Sequence, residues 1–307
     1  MLNSLLSILI LFSVKESKIA VSCALGNGPG EVGIITEDIT YGPQDFEVDW
    51  EENIYVLDSY NGGRIMKFDA NGVLLFTITP KEFFPSGLAV DSKNNLIITA
   101  SSLKGFFLVR YTPDGKLSKI SSVPRALSIP VIPDLKGKIY FDQVDSVIVF
   151  DEEFNYLETF KGSEFNRTMP RGYSQWSDWV EFKMDKDTAT GKYNIGLRNA
   201  KSKQEIALKI PPGRISYGFI EGMDKNGNVY TTGLDCATRQ RFFFRINPTL
   251  QTIDTLRTEQ KPIGDLAHAH FISPNGEIYR ACLVREARKI KWYRIFRYSK
   301  NLFARME

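Results

Sequence analysis

The chain has 307 residues, of which 43% are hydrophobic and 24% are charged, with 23 Gly and 14 Pro. This composition is that of a globular protein and excludes a disordered or collagen-like chain. The formal net charge of +3 does not by itself require a polyanionic partner, and two His and three Cys disfavour a multi-ligand metal centre or a disulfide framework. The aromatic content of 12% favours β structure, because flat rings pack well on pleated sheets.

Residues 1–22 are predicted to be a signal or leader segment. Residues 5–14 (LLSILILFSV) form an apolar run as long as a signal h-region and too short to span a bilayer as a helix. The following Ala20-Val21-Ser22-Cys23 offers small residues to a signal peptidase and resembles a bacterial lipobox, with Cys23 as the lipidated residue. These features predict export to the periplasm or cell envelope. Because the charges at 15–18 are atypical of a signal, a cytoplasmic location with residues 19–25 as an outer strand stays open.

From residue 46 onward the sequence repeats a pattern of four short strands. In the first unit, apolar segments at 46–48, 54–57, 64–68 and 73–78 are separated by Gly, Asn or Asp turns, which predicts consecutive antiparallel strands. A turn residue five positions before an aliphatic residue recurs along the chain as Asp49, Asp91, Asp134, Asp224 and Ser273. The intervals of 42, 43, 90 and 49 residues indicate a period of about 45, with one degenerate copy between Asp134 and Asp224.

This period predicts an all-β fold, a six-bladed β-propeller with four antiparallel strands per blade, because an isolated four-stranded sheet cannot bury both of its faces. A single propeller domain is expected over residues 23–307. Its predicted blades are residues 43–80, 84–121, 126–161, 176–211, 216–257 and 263–306. Ring closure has two alternatives, in which the outermost strand of the last blade is formed by residues 302–306 or by residues 19–25.

The first unit resembles an NHL repeat. The resemblance rests on Asp49, Asn53-Ile54-Tyr55-Val56, Asp58, Asn61, Arg64, Phe68-Asp69 and Gly72, and on the preceding Gly26-x-Gly28-x-Gly30 and Gly42-Pro43. It implies a six-bladed propeller of the NHL-repeat or TolB-like type, a group that includes protein- or RNA-binding platforms, lyases, lactonases and exported proteins without known activity. Gluconolactonase-like propellers place a metal-binding Glu before Gly-Pro, whereas Tyr41 stands there in this chain, which disfavours a lactonase.

The two histidines, His268 and His270, lie on the predicted inner strand of the last unit. Residues two apart on a strand face the same side, so the pair can bind a divalent metal if carboxylates from other blades complete the site. A metal-assisted lyase or hydrolase that uses this pair is therefore an alternative function. The other interpretation is that both rings pack beside Phe271 or line a solvated channel. No other cofactor is predicted.

The fourth unit departs most from the repeat and supplies the candidate binding residues. Its long connection at 167–179 (RTMPRGYSQWSDW) follows a glycosylation sequon at Asn166 and contains Arg171, Tyr173, Trp176, Asp178 and Trp179. Long loops on rigid scaffolds carry binding sites, and Trp, Tyr and Arg dominate binding hot spots. These residues therefore predict ligand binding, with the alternative that the Trp side chains fill space between blades.

The last 23 residues concentrate positive charge. Residues 285–307 hold eight Lys or Arg against Glu286 and Glu307, a net charge of +6, which leaves −3 for the rest of the chain. Interleaved aromatic residues allow an RNA-stacking or anionic-lipid surface. Solvated outer strands, whose long side chains cover aromatic surface, account for the same pattern. An RNA-binding platform of the NHL type is thus a second alternative.

The sequence as a whole favours an exported, non-enzymatic binding scaffold that holds a protein or small molecule at one face of the ring. We expect a monomer. Nucleic acid is disfavoured as a partner, and membrane contact is expected only through a lipid anchor at Cys23.

Overall fold

The protein is described by a computed structural model covering residues 17–36, 40–124, 127, 131–143, 146–161, 180–186, 193–199, 205–209, 219–234, 241–247, 252–257, 265–286 and 289–305. In several of these segments, including 180–186, 193–199, 205–209 and 265–269, the backbone alone is described. The described residues form strands and two short 3-10 turns, and no helix among them is long and apolar enough to cross a membrane.

The strands follow the alternation of apolar and turn residues along the chain. In chain order they are β1 (Lys18–Ala24), β2 (Ile35–Thr36), β3 (Thr40–Tyr41), β4 (Asp45–Val48), β5 (Ile54–Asp58), β6 (Arg64–Phe68), β7 (Leu74–Ile78), β8 (Phe84–Val90), β9 (Leu96–Ser102), β10 (Gly105–Tyr111), β11 (Leu117–Val123), β12 (Val131–Pro133), β13 (Ile139–Gln143), β14 (Ser146–Phe150), β15 (Tyr156–Lys161), β16 (Val180–Lys186), β17 (Tyr193–Asn199), β18 (Glu205–Lys209), β19 (Phe219–Met223), β20 (Val229–Leu234), β21 (Arg241–Asn247), β22 (Thr252–Arg257), β23 (Asp265–Ile272), β24 (Ile278–Glu286), β25 (Lys289–Tyr298) and β26 (Ala304–Arg305). Neighbouring strands pair in antiparallel fashion throughout the blades.

The fold is an all-β propeller with four antiparallel strands per blade. We name its five four-stranded blades A (β4–β7), B (β8–β11), C (β12–β15), D (β19–β22) and E (β23–β25 with β1). The inner strands contact one another in the order β19, β23, β4, β8 and β12, so blades D, E, A, B and C are successive neighbours.

The number of blades differs from the six predicted. Between blades C and D, the described strands β16, β17 and β18 form a sheet of three strands rather than four. Residues 162–179 and 210–218, which flank this sheet in the chain, lie outside the described residues. The structure therefore shows five blades, and the difference falls on the unit whose sequence departs most from the repeat.

The N-terminal strand closes the ring. Strand β1 pairs with β25 as the outermost strand of blade E, from Lys18 opposite Arg297 to Ala24 opposite Trp292. The C-terminal strand β26, expected as the alternative closing strand, pairs instead with β22 of blade D. Strand β1 begins at Lys18, within the residues 1–22 that the sequence predicts to be a leader segment.

Cys23 lies inside this closing strand. It is 1% exposed and stands opposite Tyr293, and burial, with a smaller contribution from Asp58, raises the pKa of its thiol to about 12. Lipidation of Cys23 stays a prediction. Cleavage immediately before Cys23 would remove Lys18–Ser22 from a strand on which blade E depends.

Arg64 ties the loop after β1 to blade A. Its Nη atoms donate to the carbonyl oxygens of Asn27, Gly28 and Glu31 at 3.0, 3.1 and 2.6 Å, and its Nε donates to Asp58 at 3.1 Å. Asp58 and Arg64 belong to the NHL-like pattern of the first unit. Their role in this fold is to hold the chain between the outer strand of blade E and the first strand of blade A.

Apolar clusters fill the junctions between neighbouring blades. At the junction of blades A and E, for example, the rings of Phe46 and Phe271 pack edge to face at 6.2 Å between centroids. Comparable clusters lie between blades A and B, B and C, and D and E. At these four junctions, neighbouring sheets therefore bury their facing surfaces against each other, as the propeller prediction requires.

A pair of truncated chains tests ring closure. A chain that begins at Ser17 keeps β1, whereas a chain that begins at Leu25 loses the buried Ala20, Val21 and Cys23 and exposes the edge of β25. We expect the longer chain to unfold cooperatively and the shorter chain to lose more than about 3 kcal/mol of unfolding free energy. Urea denaturation followed by circular dichroism measures both, and equal midpoints would show that β1 is dispensable.

Candidate functional site

The recurring Asp of each unit closes a hairpin between the inner and the second strand. Asp49 accepts hydrogen bonds from the backbone N–H groups of Glu51 and Asn53 at 2.9 and 2.8 Å. Asp91, Asp134 and Asp224 accept the equivalent pairs of bonds in blades B, C and D. The period detected in the sequence is thus a structural one, set by the local chemistry of the turn.

These hairpins meet at one end of the ring, which we call the lower end. The N–H of Trp50 donates to Asn94 at 3.0 Å, which links blades A and B, and the N–H of Lys225 donates to Pro274 at 2.9 Å, which links blades D and E. The hairpins between second and third strands lie at the opposite end, the upper end. The hairpins of each class therefore lie at the same end of the ring.

Glu52 joins blades E and A at the lower end. It has a φ of 64° and is 9% exposed, and its carboxylate accepts hydrogen bonds from Ser273 at 3.0 Å, from Asn275 at 2.8 Å and from the hydroxyl of Tyr279. This carboxylate is therefore fully engaged within the protein. It has a structural role and is no candidate for ligand binding.

A buried tyrosine follows the recurring turn residue by six positions in four of the five blades. The hydroxyls of Tyr140 and Tyr230 donate to Asp134 and Asp224, each at 3.0 Å. Burial, followed by the nearby carboxylates Asp224 and Glu52, raises the pKa of Tyr230 and that of Tyr279. The hydroxyl of Tyr55, in contrast, has no hydrogen-bond partner among the described residues.

Substitutions of these tyrosines test the structural assignment. Tyr230→Phe and Tyr279→Phe should each lower the free energy of unfolding by about 1–2 kcal/mol, because a buried carboxylate loses a donor. Tyr55→Phe removes an unpaired hydroxyl and should leave stability unchanged or slightly raised. Urea denaturation compares the three variants, and an equal loss in all three would contradict the assignment.

Among the residues predicted to contact a ligand or metal, His270 is the one whose side chain the structure describes. It lies on β23, the inner strand of blade E, and is 6% exposed. Its Nδ1 is 3.6 Å from an Oε atom of Glu221 on β19 of blade D, a distance suited to an ion pair and too long for a hydrogen bond. Its Nε2 is buried without a hydrogen-bond partner among the described residues.

Neighbouring residues hold this imidazole in place. Phe243 packs edge-on against its ring at 5.1 Å, and Thr232 donates a hydrogen bond of 2.7 Å to Glu221. Arg280, which is 8% exposed, stands opposite His270 in the adjacent strand. The junction of blades D and E therefore brings the Glu221 carboxylate beside the His270 imidazole, with the largely buried Arg280 at the strand position opposite His270.

This arrangement leaves one imidazole nitrogen without a hydrogen-bond partner among the described residues. With Glu221 beside Nδ1, Nε2 can accept or donate a hydrogen bond or bind a metal ion, depending on its protonation. Among the described residues, no group of three or more His, Cys, Asp or Glu is placed to hold a metal ion.

The structure does not describe the side chains of the other residues predicted to contact a ligand. His268 lies on β23 as expected, but its side chain is outside the described residues. The candidate binding residues Arg171, Tyr173, Trp176, Asp178 and Trp179 also lie outside the described residues. Glu221 and Arg280 were not predicted as site residues, and the signal that the sequence offered for them was a charged residue within an otherwise apolar strand.

The chain is distantly similar to several solved structures. No protein-family model and no curated protein matches the chain. A candidate exported protein from Bacteroides fragilis is 10% identical with a TM-score of 0.45, over 93% of this chain and 98% of that one. A catalytically inactive virginiamycin B lyase variant from Staphylococcus aureus, solved with quinupristin, is 12% identical with a TM-score of 0.42, over 94% and 88%.

A third similar structure is an oligogalacturonate lyase in complex with manganese. It is 12% identical with a TM-score of 0.44, over 84% of this chain and 77% of that one. At these identities and TM-scores the likeness carries no argument about activity, ligand or location. The NHL-repeat type likewise stays a prediction.

Proposed function

We propose that the protein is an exported binding scaffold, in which a propeller ring holds a small ligand or a segment of another protein. The observation that carries the proposal is the buried Nε2 of His270, which has no hydrogen-bond partner among the described residues. A buried polar atom left unpaired costs about 1–3 kcal/mol. An unpaired buried polar atom in a native protein needs an explanation, and a ligand that forms a hydrogen bond with the atom would provide one.

The proposal includes a ring of six blades of the NHL-repeat type. The sheet of β16, β17 and β18 lies between blades C and D in the chain, where the period of about 45 residues requires one further unit. With this sheet as the fourth blade, blades C and D each gain a neighbour. Each blade of the proposed ring then has a neighbouring blade against both of its faces, as the propeller fold requires.

The proposed ligand contacts combine the two sequence-predicted groups. Tyr173, Trp176 and Trp179 supply aromatic contacts, and Asp178 or Arg171 orients the ligand. His270, with His268, supplies a polar contact from blade E. Strand β15 runs from the lower to the upper end, so the chain leaves blade C for residues 162–179 at the upper end. This supports a ligand site that opens towards that face.

A fragment screen tests binding at His270. Ligand-observed NMR with wild-type protein should detect fragments whose signals are lost with His270→Phe, because phenylalanine keeps the edge contact with Phe243 and removes both ring nitrogens. Tyr55→Phe is the matched control, since it also removes one unpaired buried polar atom. If no fragment distinguishes His270→Phe from the wild type and the control, binding at this position is excluded.

A metal-assisted lyase or hydrolase is the second candidate. It is favoured by the contact between Glu221 and Nδ1 of His270, since histidines that bind metals commonly present their other nitrogen to a carboxylate. Metal analysis of the purified protein separates the two candidates. Stoichiometric zinc, iron or calcium that is lost when both histidines are changed to Ala would support the lyase or hydrolase and contradict the scaffold.

Export is tested by cell fractionation with N-terminal sequencing. The apolar run at 5–14 supports export, and the pairing of β1 with β25 requires that any cleavage spare Lys18. We expect a chain from the cell envelope or medium that begins at or before Lys18. An unprocessed chain in the cytoplasm would contradict export, and a lipidated Cys23 would contradict the proposed cleavage position.

A further inference from the structure

Large apolar side chains project from the upper end of blade B. Phe84 is 68% exposed, Phe106 is 38% exposed and Leu103 is fully exposed. We call these three residues the apolar rim. A soluble protein exposes single apolar residues freely, but a group of them at one place marks an interaction surface.

The three side chains of the apolar rim are neighbours. Phe84 and Phe106 both stand opposite Ser101 in the adjacent strand between them, so all three side chains lie on one face of the sheet. Because the side chain of Ser101 is small, the two rings project beyond the strand that separates them. Leu103 lies at the tip of the hairpin between β9 and β10, beyond the ends of the strands.

Positive charge lies at the same end of the ring as the apolar rim. In blade B, the exposed Lys81 and Lys104 precede Phe84 and follow Leu103. In blade E, the exposed Arg285, Lys289 and Lys291 lie at the hairpin between β24 and β25, which also belongs to the upper end. We call these five residues the basic rim.

Few carboxylates offset the basic rim. Among the described residues of the same loops, the exposed acidic side chains are Glu82 and Glu286. Glu286 already accepts a hydrogen bond of 2.9 Å from Trp292. The upper end of blades E and B is therefore positively charged as well as apolar.

Blades E, A and B form a continuous surface at this end. The loop held by Arg64 runs from blade E to blade A, and Gly63, in the upper hairpin of blade A, lies against Pro85 of blade B. A Cβ atom on Gly63 would lie 2.7 Å from Cδ of Pro85. One flat partner can therefore touch the basic and the apolar rim together.

We propose that the upper end of blades E, A and B binds the surface of a bilayer that contains anionic phospholipids. Phe84 and Leu103 enter the headgroup region, and the basic rim contacts lipid phosphates. A bilayer of this kind has an apolar interior and a negatively charged surface. The exposed apolar side chains match the interior, and the Lys and Arg side chains at the same end of the ring match the surface. This inference is independent of the proposed ligand site at the junction of blades D and E.

Vesicle sedimentation with the full chain tests this proposal. We expect sedimentation with phosphatidylcholine vesicles that contain phosphatidylglycerol, weaker binding in high salt, and little binding to phosphatidylcholine alone. Phe84→Ser combined with Leu103→Ser should weaken binding about tenfold or more. The matched control is Leu75→Ser with Leu117→Ser, which removes two leucines that are 51% and 53% exposed on outer strands.

A second measurement reports on insertion at the apolar rim itself. Leu103→Cys carrying an environment-sensitive fluorophore, in a Cys236→Ser background, should shift its emission to the blue on addition of the anionic vesicles. No shift, or equal vesicle binding by the wild type and the Phe84 and Leu103 double variant, overturns the proposal. Circular dichroism confirms that each variant is folded.

Discussion

The pairing of β1 with β25 is the contact on which the rest of the structure depends. It supplies the fourth strand of blade E, and it places the following loop within reach of Arg64. Without it, the junction between blades E and A would keep only its side-chain contacts, such as the three hydrogen bonds that Glu52 accepts. The loop that follows β1 joins blades E and A at the upper end of the ring, and the hydrogen bonds to Glu52 join the same two blades at the lower end.

The junctions on the two sides of blade E differ in a way that bears on function. Between blades E and A, the Glu52 carboxylate is satisfied by donors from the protein. Between blades D and E, the imidazole of His270 has Glu221 beside one nitrogen and no hydrogen-bond partner among the described residues at the other. Buried polar groups are normally paired, so the first junction is structural and the second is the place to look for a ligand.

The sequence predicted those features that local chemistry determines. Asp49 and its equivalents recur because each closes its own hairpin through bonds to residues two and four positions ahead, and this leaves a periodic signal. Ring closure stayed open, because the pairing of Cys23 with Tyr293 links residues at opposite ends of the chain and has no local signal. The contact of Glu221 with His270 was missed for the same reason, and the blade count differed where the repeat is weakest.

The position of β1 also constrains how the protein is made. Lys18 precedes its partner Arg297 by 279 residues, so β1 is synthesised well before β25. Until then the first residues of the domain carry an unpaired, largely apolar strand edge, which is prone to pair with other chains. Proteins whose contacting residues are far apart in the sequence fold more slowly than proteins rich in local contacts. The edge of the closing strand therefore stays open to pairing with other chains from its own synthesis until β25 has been made.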